Sequence, residues 1–192
     1  KLLLLLFTAS LLTQQAYAQL IPERRNSISV NYAISSSIIP NGNLIGAASL
    51  EGLTHTVGIS YYRDLSYAFG FETGLRYTML NMSSSGINGS GQSFDRKFND
   101  GYITLPILVE YNFLRYLFAQ LGPTVSMQVN KNEYMNQSGI GLWGAFGGKI
   151  NGKNMTFKAY PYYHSQSVIA FSKTYGNQSL QNVGFNIGIG YT

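Results

Sequence analysis

Hydrophobic and polar residues alternate with a period of two through most of the chain, most clearly from Gly101 to Val129. Ile103, Leu105, Ile107, Val109, Tyr111 and Phe113 share one face of an extended strand, and Tyr102, Thr104, Pro106, Leu108, Glu110 and Asn112 share the other. After a break at Asn112-Phe113-Leu114-Arg115 the pattern resumes. Leu117, Ala119, Leu121, Val125, Met127 and Val129 now alternate with Phe118, Gln120, Gly122, Thr124, Ser126 and Gln128. Two strands of about ten to twelve residues, apolar on one side and joined by a short turn, suit a bilayer-spanning β-hairpin.

Six further strands follow from the same rule. Ile28, Val30, Tyr32 and Ile34 mark the first, and Ser35 to Thr54 reads as a long loop around Pro40-Asn41-Gly42-Asn43. The second puts Val57, Ile59 and Tyr61 outward against Thr56, Gly58, Ser60 and Tyr62, and ends in a tight turn at Arg63-Asp64. The third alternates Tyr67, Phe69, Phe71, Thr73, Leu75, Tyr77 and Met79 with Ala68, Gly70, Glu72, Gly74, Arg76 and Thr78. Residues 81–100, rich in Ser, Gly and Asn, read as a loop before the hairpin described above. The sixth strand spans Gly139 to Phe146 with Ile140, Leu142 and Phe146 outward, although its glycines blur the phase. Asn151-Gly152 signals a two-residue turn into the seventh strand, where Met155, Phe157, Ala159 and Tyr163 oppose Thr156, Lys158, Tyr160 and Tyr162. His164 to Gln181 reads as an outer loop, or in part as an extension of the seventh strand through Val168 to Phe171. The last strand sets Val183, Phe185, Ile187, Ile189 and Tyr191 against Gly184, Asn186, Gly188 and Gly190.

The pattern therefore predicts an all-β fold, an eight-stranded antiparallel up-and-down transmembrane β-barrel, with long and short connections in alternation. Short turns of outer-membrane barrels face the periplasm, which puts both termini there. Tyr61, Tyr67, Tyr111, Phe113, Tyr116 and Tyr191 cluster at the short turns, as an aromatic girdle at that interface requires.

Composition agrees. Only 11% of the 192 residues are charged while 14% are aromatic, with 15 Tyr and 21 Gly. A mean hydropathy near zero fits strands that are only half apolar. Residues 1–18 have the form of a cleaved signal peptide: Lys1, an apolar run from Leu2 to Leu12, and Ala16-Tyr17-Ala18 as the processing site. The missing Met puts the natural start at least one residue upstream, and residues 19–192 form the barrel domain. With no Cys there is neither a lipid-attachment cysteine nor a disulfide. The +5 net charge is modest, and Arg24, Arg25, Arg63, Arg115, Lys149 and Lys153 are scattered over strand ends, so nucleic acid is not an expected partner. Expected partners are outer-membrane lipid and envelope proteins, with the barrel a monomer and no cofactor.

The interior of an eight-stranded barrel is just wide enough for side chains. Glu72, Arg76, Glu110 and Lys158, joined by Gln120, are all inward and sum to zero charge. They read either as a structural plug or as a proton or ion relay, since ionisable groups at membrane depth are costly. Pro106 and Pro123 fall roughly opposite each other and predict a local bulge or bend. His164 is read as a loop or rim residue, because no acid lies nearby in the sequence to orient it for catalysis with Ser165 or Ser167.

The run Tyr102-Ile103-Thr104-Leu105-Pro106-Ile107-Leu108-Val109-Glu110-Tyr111-Asn112-Phe113, with Leu121-Gly122-Pro123, resembles the hairpin motif of the PorT-like outer-membrane β-barrel family of the Bacteroidota. The resemblance implies residence in a Gram-negative outer membrane and a part in envelope biogenesis or protein secretion. Thr104 stands where that family often has an acid, and Tyr191-Thr192 where it often has a terminal Phe. The function expected is that of a non-enzymatic outer-membrane barrel acting through its outer loops. A lipid-modifying enzyme is an alternative, and so is a soluble lipocalin-like carrier, which would turn Phe69, Phe71, Ile107 and Val109 inward.

Overall fold

A computed structural model describes residues 26–38, 47–87, 93–113, 115–129, 138–171 and 179–192. Eight strands follow in chain order: β1 (Asn26–Ile38), β2 (Ala47–Asp64), β3 (Phe69–Ile87), β4 (Ser93–Asn112), β5 (Leu117–Gln128), β6 (Gly139–Asn151), β7 (Met155–Ala170) and β8 (Gln181–Tyr191). Each pairs antiparallel with its neighbour, and β1 pairs with β8 to close the barrel. Closure leaves no sheet edge through the belt, as a bilayer demands.

The alternation read from the sequence is the alternation observed. Val30 at 65%, Phe69 at 47%, Ile107 at 40% and Val109 at 49% exposure lie on the outer surface, which excludes the inverted, lipocalin-like arrangement. Asn31, Glu72, Thr104, Glu110 and Asn186 are buried in the lumen. Ile140, Leu142 and Phe146 are outward, so the glycine-rich β6 keeps one phase throughout.

Strand ends depart from the sequence reading mainly by lengthening at the long-connection end. β1 and β2 take in residues read as loop before Thr54, and β3 and β4 pair as far as Ile87 opposite Ser93, inside the expected 81–100 loop. The β1 and β3 extensions are Ser-rich and the β4 extension is charged, and paired backbone needs no alternating pattern once it has left the apolar belt. At the other end β2 continues through Arg63 and Asp64. The turn is Leu65 to Ala68, closed by the Leu65 and Ser66 amides on Phe69 O, both at 2.9 Å, so Tyr67 and Ala68 belong to it and not to β3. β6 runs on to Asn151, and the Gly152 amide bonds Met155 O at 2.7 Å, which centres that turn on Lys153 and Asn154. Residues 1–18 lie outside the described residues.

No bulge occurs at the prolines. Pro106 pairs with Thr124 and Val109 with Leu121 in one register, and the β3–β4 ladder likewise resumes unshifted after lapsing between Thr73 and Arg76. Proline removes a donor without adding a residue, so bonds are lost and register is kept. The Thr73 hydroxyl donates to Pro106 O at 2.8 Å, and Gly122 lets the backbones approach: a Cβ there would sit 2.1 Å from Ile107 O. The register shifts lie instead at Ala47/Ser49 of β2 against β3 and between β6 and β7. Ile140 pairs with Ile169 and Leu142 with Ser165, so two β6 residues span four of β7, with Ser167 at φ 54°.

Gly122→Ala is expected to destabilise the barrel by about 1–3 kcal/mol, because a backbone oxygen must move. Gly144→Ala, on the facing strand, has only a Leu121 methyl 3.8 Å from the new Cβ and should be close to neutral. Urea unfolding of the two variants in lipid vesicles checks the contrast.

Candidate functional site

Inward positions of β3, β4, β5, β6 and β7 converge on one ionic cluster toward the short-turn end of the lumen. Glu72 Oε1 accepts from Arg76 Nη2 at 3.2 Å, two inward positions further along β3, and Glu72 Oε2 accepts from Lys158 Nζ at 2.9 Å. Glu110 divides its oxygens: Oε1 takes Lys149 Nζ at 2.7 Å and Oε2 takes Lys158 Nζ at 2.7 Å. The Gln120 amide bridges both carboxylates, donating to Glu72 at 2.8 Å and to Glu110 at 2.9 Å. Glu110 is 0% exposed and Lys149 and Lys158 are 7% exposed.

The five residues expected in the lumen are thus brought together, and a sixth, Lys149, completes the set. It was read as a strand-end residue because β6 was expected to stop at Phe146. Its signal lay in Ile150: with Ile140, Leu142 and Phe146 outward, the same parity puts 150 outward and 149 inward. The addition changes the charge count. Three cations meet two carboxylates, so the cluster carries one positive charge in excess, not zero. Lys149 and Lys158 are direct cross-strand partners, an arrangement that repels unless an anion lies between them, and Glu110 supplies it.

Aromatic rings pack the space around the ions. Lys158 Nζ lies 4.4 Å and Lys149 Nζ 4.9 Å from the Tyr62 ring centre, and Phe118 meets Tyr160 edge-on at 5.3 Å. Toward the long-connection end Arg76 stacks 4.2 Å over Trp143, which stacks on Tyr162 at 4.3 Å. Arg76 Nε and Nη1 have no hydrogen-bond partner among the described residues, and the Trp143 face takes their place beside the guanidinium.

His164 is not a rim residue. It is 5% exposed, on the inward face of β7, with Nε2 2.9 Å from Thr124 Oγ1 and its ring against Trp143 at 5.3 Å. Ser165 bonds Ser179 at 2.7 Å and Ser167 donates to Ser138 O at 3.3 Å, so both hydroxyls are directed away from the imidazole. Extending β7 to Ala170 drew the histidine inside, and its even number matched the inward set Lys158, Tyr160 and Tyr162.

Two small cavities flank the cluster. One of about 10 Å³ is lined by Arg76, Trp143, His164, Gln166 and small hydroxyl residues, and one of about 20 Å³ by Tyr62, Asp64, Lys149 and Lys158. Each has room for about one water, and the ion-paired layer separates them. On the outer surface the aromatic residues expected as a girdle lie at the short-turn end. Tyr61, Tyr67, Tyr116 and Tyr191 are exposed, and a run of ring contacts links Phe69, Tyr111, Phe113 and Phe146 at 5.1, 6.2 and 5.5 Å.

A family model described as an outer membrane protein β-barrel domain matches residues 17–192. Among solved structures, the outer membrane protein OprG from Pseudomonas aeruginosa is similar at 14% identity and a TM-score of 0.54, covering 86% of this chain and 94% of that one. Ail, the attachment invasion locus protein of Yersinia pestis, aligns at 12% identity and a TM-score of 0.46, covering 88% of this chain and 99% of that one. No curated protein matches the chain. At these identities the OprG likeness concerns the fold.

Glu110→Gln leaves Lys149 and Lys158 without their shared carboxylate and is expected to cost about 3–5 kcal/mol of unfolding free energy. Adding Lys149→Met should recover part of that loss, since it removes a cation that has lost its partner. A double-mutant cycle by urea titration in vesicles measures the coupling, and strict additivity would contradict the observed network.

Proposed function

The chain belongs to the outer membrane protein β-barrel domain family, and from that footing we propose that it acts as a non-enzymatic barrel whose lumen is a structural plug and whose role is carried by its long-connection end. It is an outer-membrane protein with a closed eight-stranded barrel. The observation that carries the proposal is the cross-lumen ion layer: Glu72, Glu110, Lys149 and Lys158 come from four strands and meet within 2.9 Å, between cavities of about 10 and 20 Å³ lined by described residues.

A relay is the weaker reading of the same residues. Arg76 and Lys158 hold fixed positive charge across the path, which opposes the passage of cations and protons alike. The role of the barrel then rests on what its outer end and wall touch: envelope partners and lipid. The hairpin motif from Tyr102 to Phe113 resembles the PorT-like family and favours a part in envelope biogenesis or secretion within this reading. In the proposed orientation the short turns and both termini face the periplasm, as in other outer-membrane barrels. The serine hydroxyls directed away from His164 offer no support to a lipid-hydrolysing site.

Planar bilayers containing the reconstituted protein should show no stable conductance steps, and Glu110→Gln should not create a steady open level. Sustained ion flux through the wild type would overturn the plug. A surface-labelling experiment checks orientation and role together. A tag placed at Asn41-Gly42 should be reached from outside intact cells, and one at Lys153 should not. Replacing residues 131–137 with a Gly/Ser segment should reduce co-purification of envelope partners, whereas a conservative lumen change such as Thr104→Ser, which keeps the hydroxyl that meets Ser126 Oγ, should not.

A further inference from the structure

The three short turns each carry one exposed cation. Arg63 is outward on the last residues of β2, Arg115 lies in the β4–β5 turn, and Lys153 is central to the β6–β7 turn. In the sequence they are about 40 to 50 residues apart and look scattered. Up-and-down closure gathers them onto one rim, one at each alternate hairpin, about a quarter of the circumference apart.

Acidic groups at this end do not cancel them. Asp64 is the one acid on the described part of the rim outside the ion layer, and it is half-buried, accepts from Tyr62 Oη at 2.7 Å and lines the lumen cavity. Parity explains the division: Arg63 takes the outward position of β2 and Asp64 the inward one. The opposite end differs, since the β4 extension carries Asp95, Arg96, Lys97 and Asp100, two of each sign.

The cations stand beside the outward aromatic residues that edge the apolar surface, Lys153 being two residues before Met155, the ladder partner of Tyr191. Arg63 follows Tyr61 on the same face of β2, and the Arg115 guanidinium lies 5.3 Å from the Tyr116 ring centre. Aromatic rings mark the depth at which a bilayer passes from hydrocarbon to headgroups, so the three cations sit where phosphates lie.

From this we infer that the short-turn rim is a binding ring for anionic phospholipid headgroups of the leaflet that surrounds it. The inference rests on the outer-membrane reading and adds the lipid class. A leaflet reaches all three turns at once, whereas a globular protein docked on one side would leave the others unused. A phosphate gains from each cation it meets at this depth, and the attraction falls off within a Debye length.

The test uses the full chain reconstituted in phosphatidylcholine vesicles containing a small fraction of spin-labelled phosphatidylglycerol or spin-labelled phosphatidylcholine. The immobilised fraction should show a preference for the anionic label of at least about twofold at low salt, shrinking as salt is raised. Arg63→Gln/Arg115→Gln/Lys153→Gln should abolish that preference, and Arg63→Lys/Arg115→Lys, which keeps the charge, should retain it. Arg96→Gln/Lys97→Gln, at the opposite end, should leave it unchanged. The proposal is overturned if the wild type shows no preference, if the triple Gln variant keeps it, or if only the opposite-end variant loses it. It is likewise overturned if a soluble acidic polypeptide binds the rim while the lipid preference is absent. Protease protection of the strands is read in each sample. A chain that fails to insert contradicts the membrane reading itself, whereas an inserted barrel without preference contradicts only the lipid ring.

Discussion

Five ionisable side chains share a space no wider than the side chains themselves, and the rest of the structure depends on how they are paired. A buried charge without a partner costs several kcal/mol, and the lumen has no bulk water to relieve it. Glu110 meets that constraint by giving one oxygen to each of two lysines that face each other across neighbouring strands. Glu72 joins Lys158 to Arg76, and Gln120 ties the two carboxylates together. Contributions from β3 through β7 make the cluster a register check. A slip of one residue on β3, β4, β6 or β7 would send a charged group outward, and on β5 it would withdraw the Gln120 bridge.

The wall and the filling explain each other. Large inward rings, Tyr62, Phe118, Trp143, Tyr160 and Tyr162, need room, and inward glycines supply it. A Cβ on Gly147 would fall 2.2 Å from Tyr160 Cβ, and one on Gly70 would fall 2.2 Å from Tyr62 Oη. Among the glycines that weaken the alternating signal of β6, Gly147 is therefore the one that lets the barrel close over its aromatic filling. The prolines act on the ladder alone: pairing lapses around Pro106 while register is preserved, so the belt stays sealed by its neighbours.

Charge is partitioned by the topology. The lumen holds the ion layer, the outer surface of the belt is apolar, and the short-turn rim presents Arg63, Arg115 and Lys153 outward while Asp64 turns inward. A barrel with its interior occupied by this layer has its working surfaces at its ends and around its wall. The two proposals divide accordingly, with partners at the long-connection end and anionic lipid at the short-turn rim.

Much of this was legible before the fold was known. A period of two is a local property, and a strand buried on one side and bathed in lipid on the other must display it, so the strand number, the outward faces and the inward Glu72, Arg76, Glu110, Gln120 and Lys158 could be read residue by residue. Strand ends could not, because paired backbone outside the belt imposes no alternation. Hence β1 to β4 ran longer than expected, and the lengthening of β6 and β7 carried Lys149 and His164 into the lumen. The sequence by itself determined which side chains face lipid and which face inward, since that choice depends on solvent and parity alone. Tertiary structure decided which inward groups meet, that Lys149 makes the cluster a set of three cations and two anions, and that three distant basic residues share one rim. Those outcomes depend on register and closure, which are set by pairing between strands and not by the pattern within any one of them.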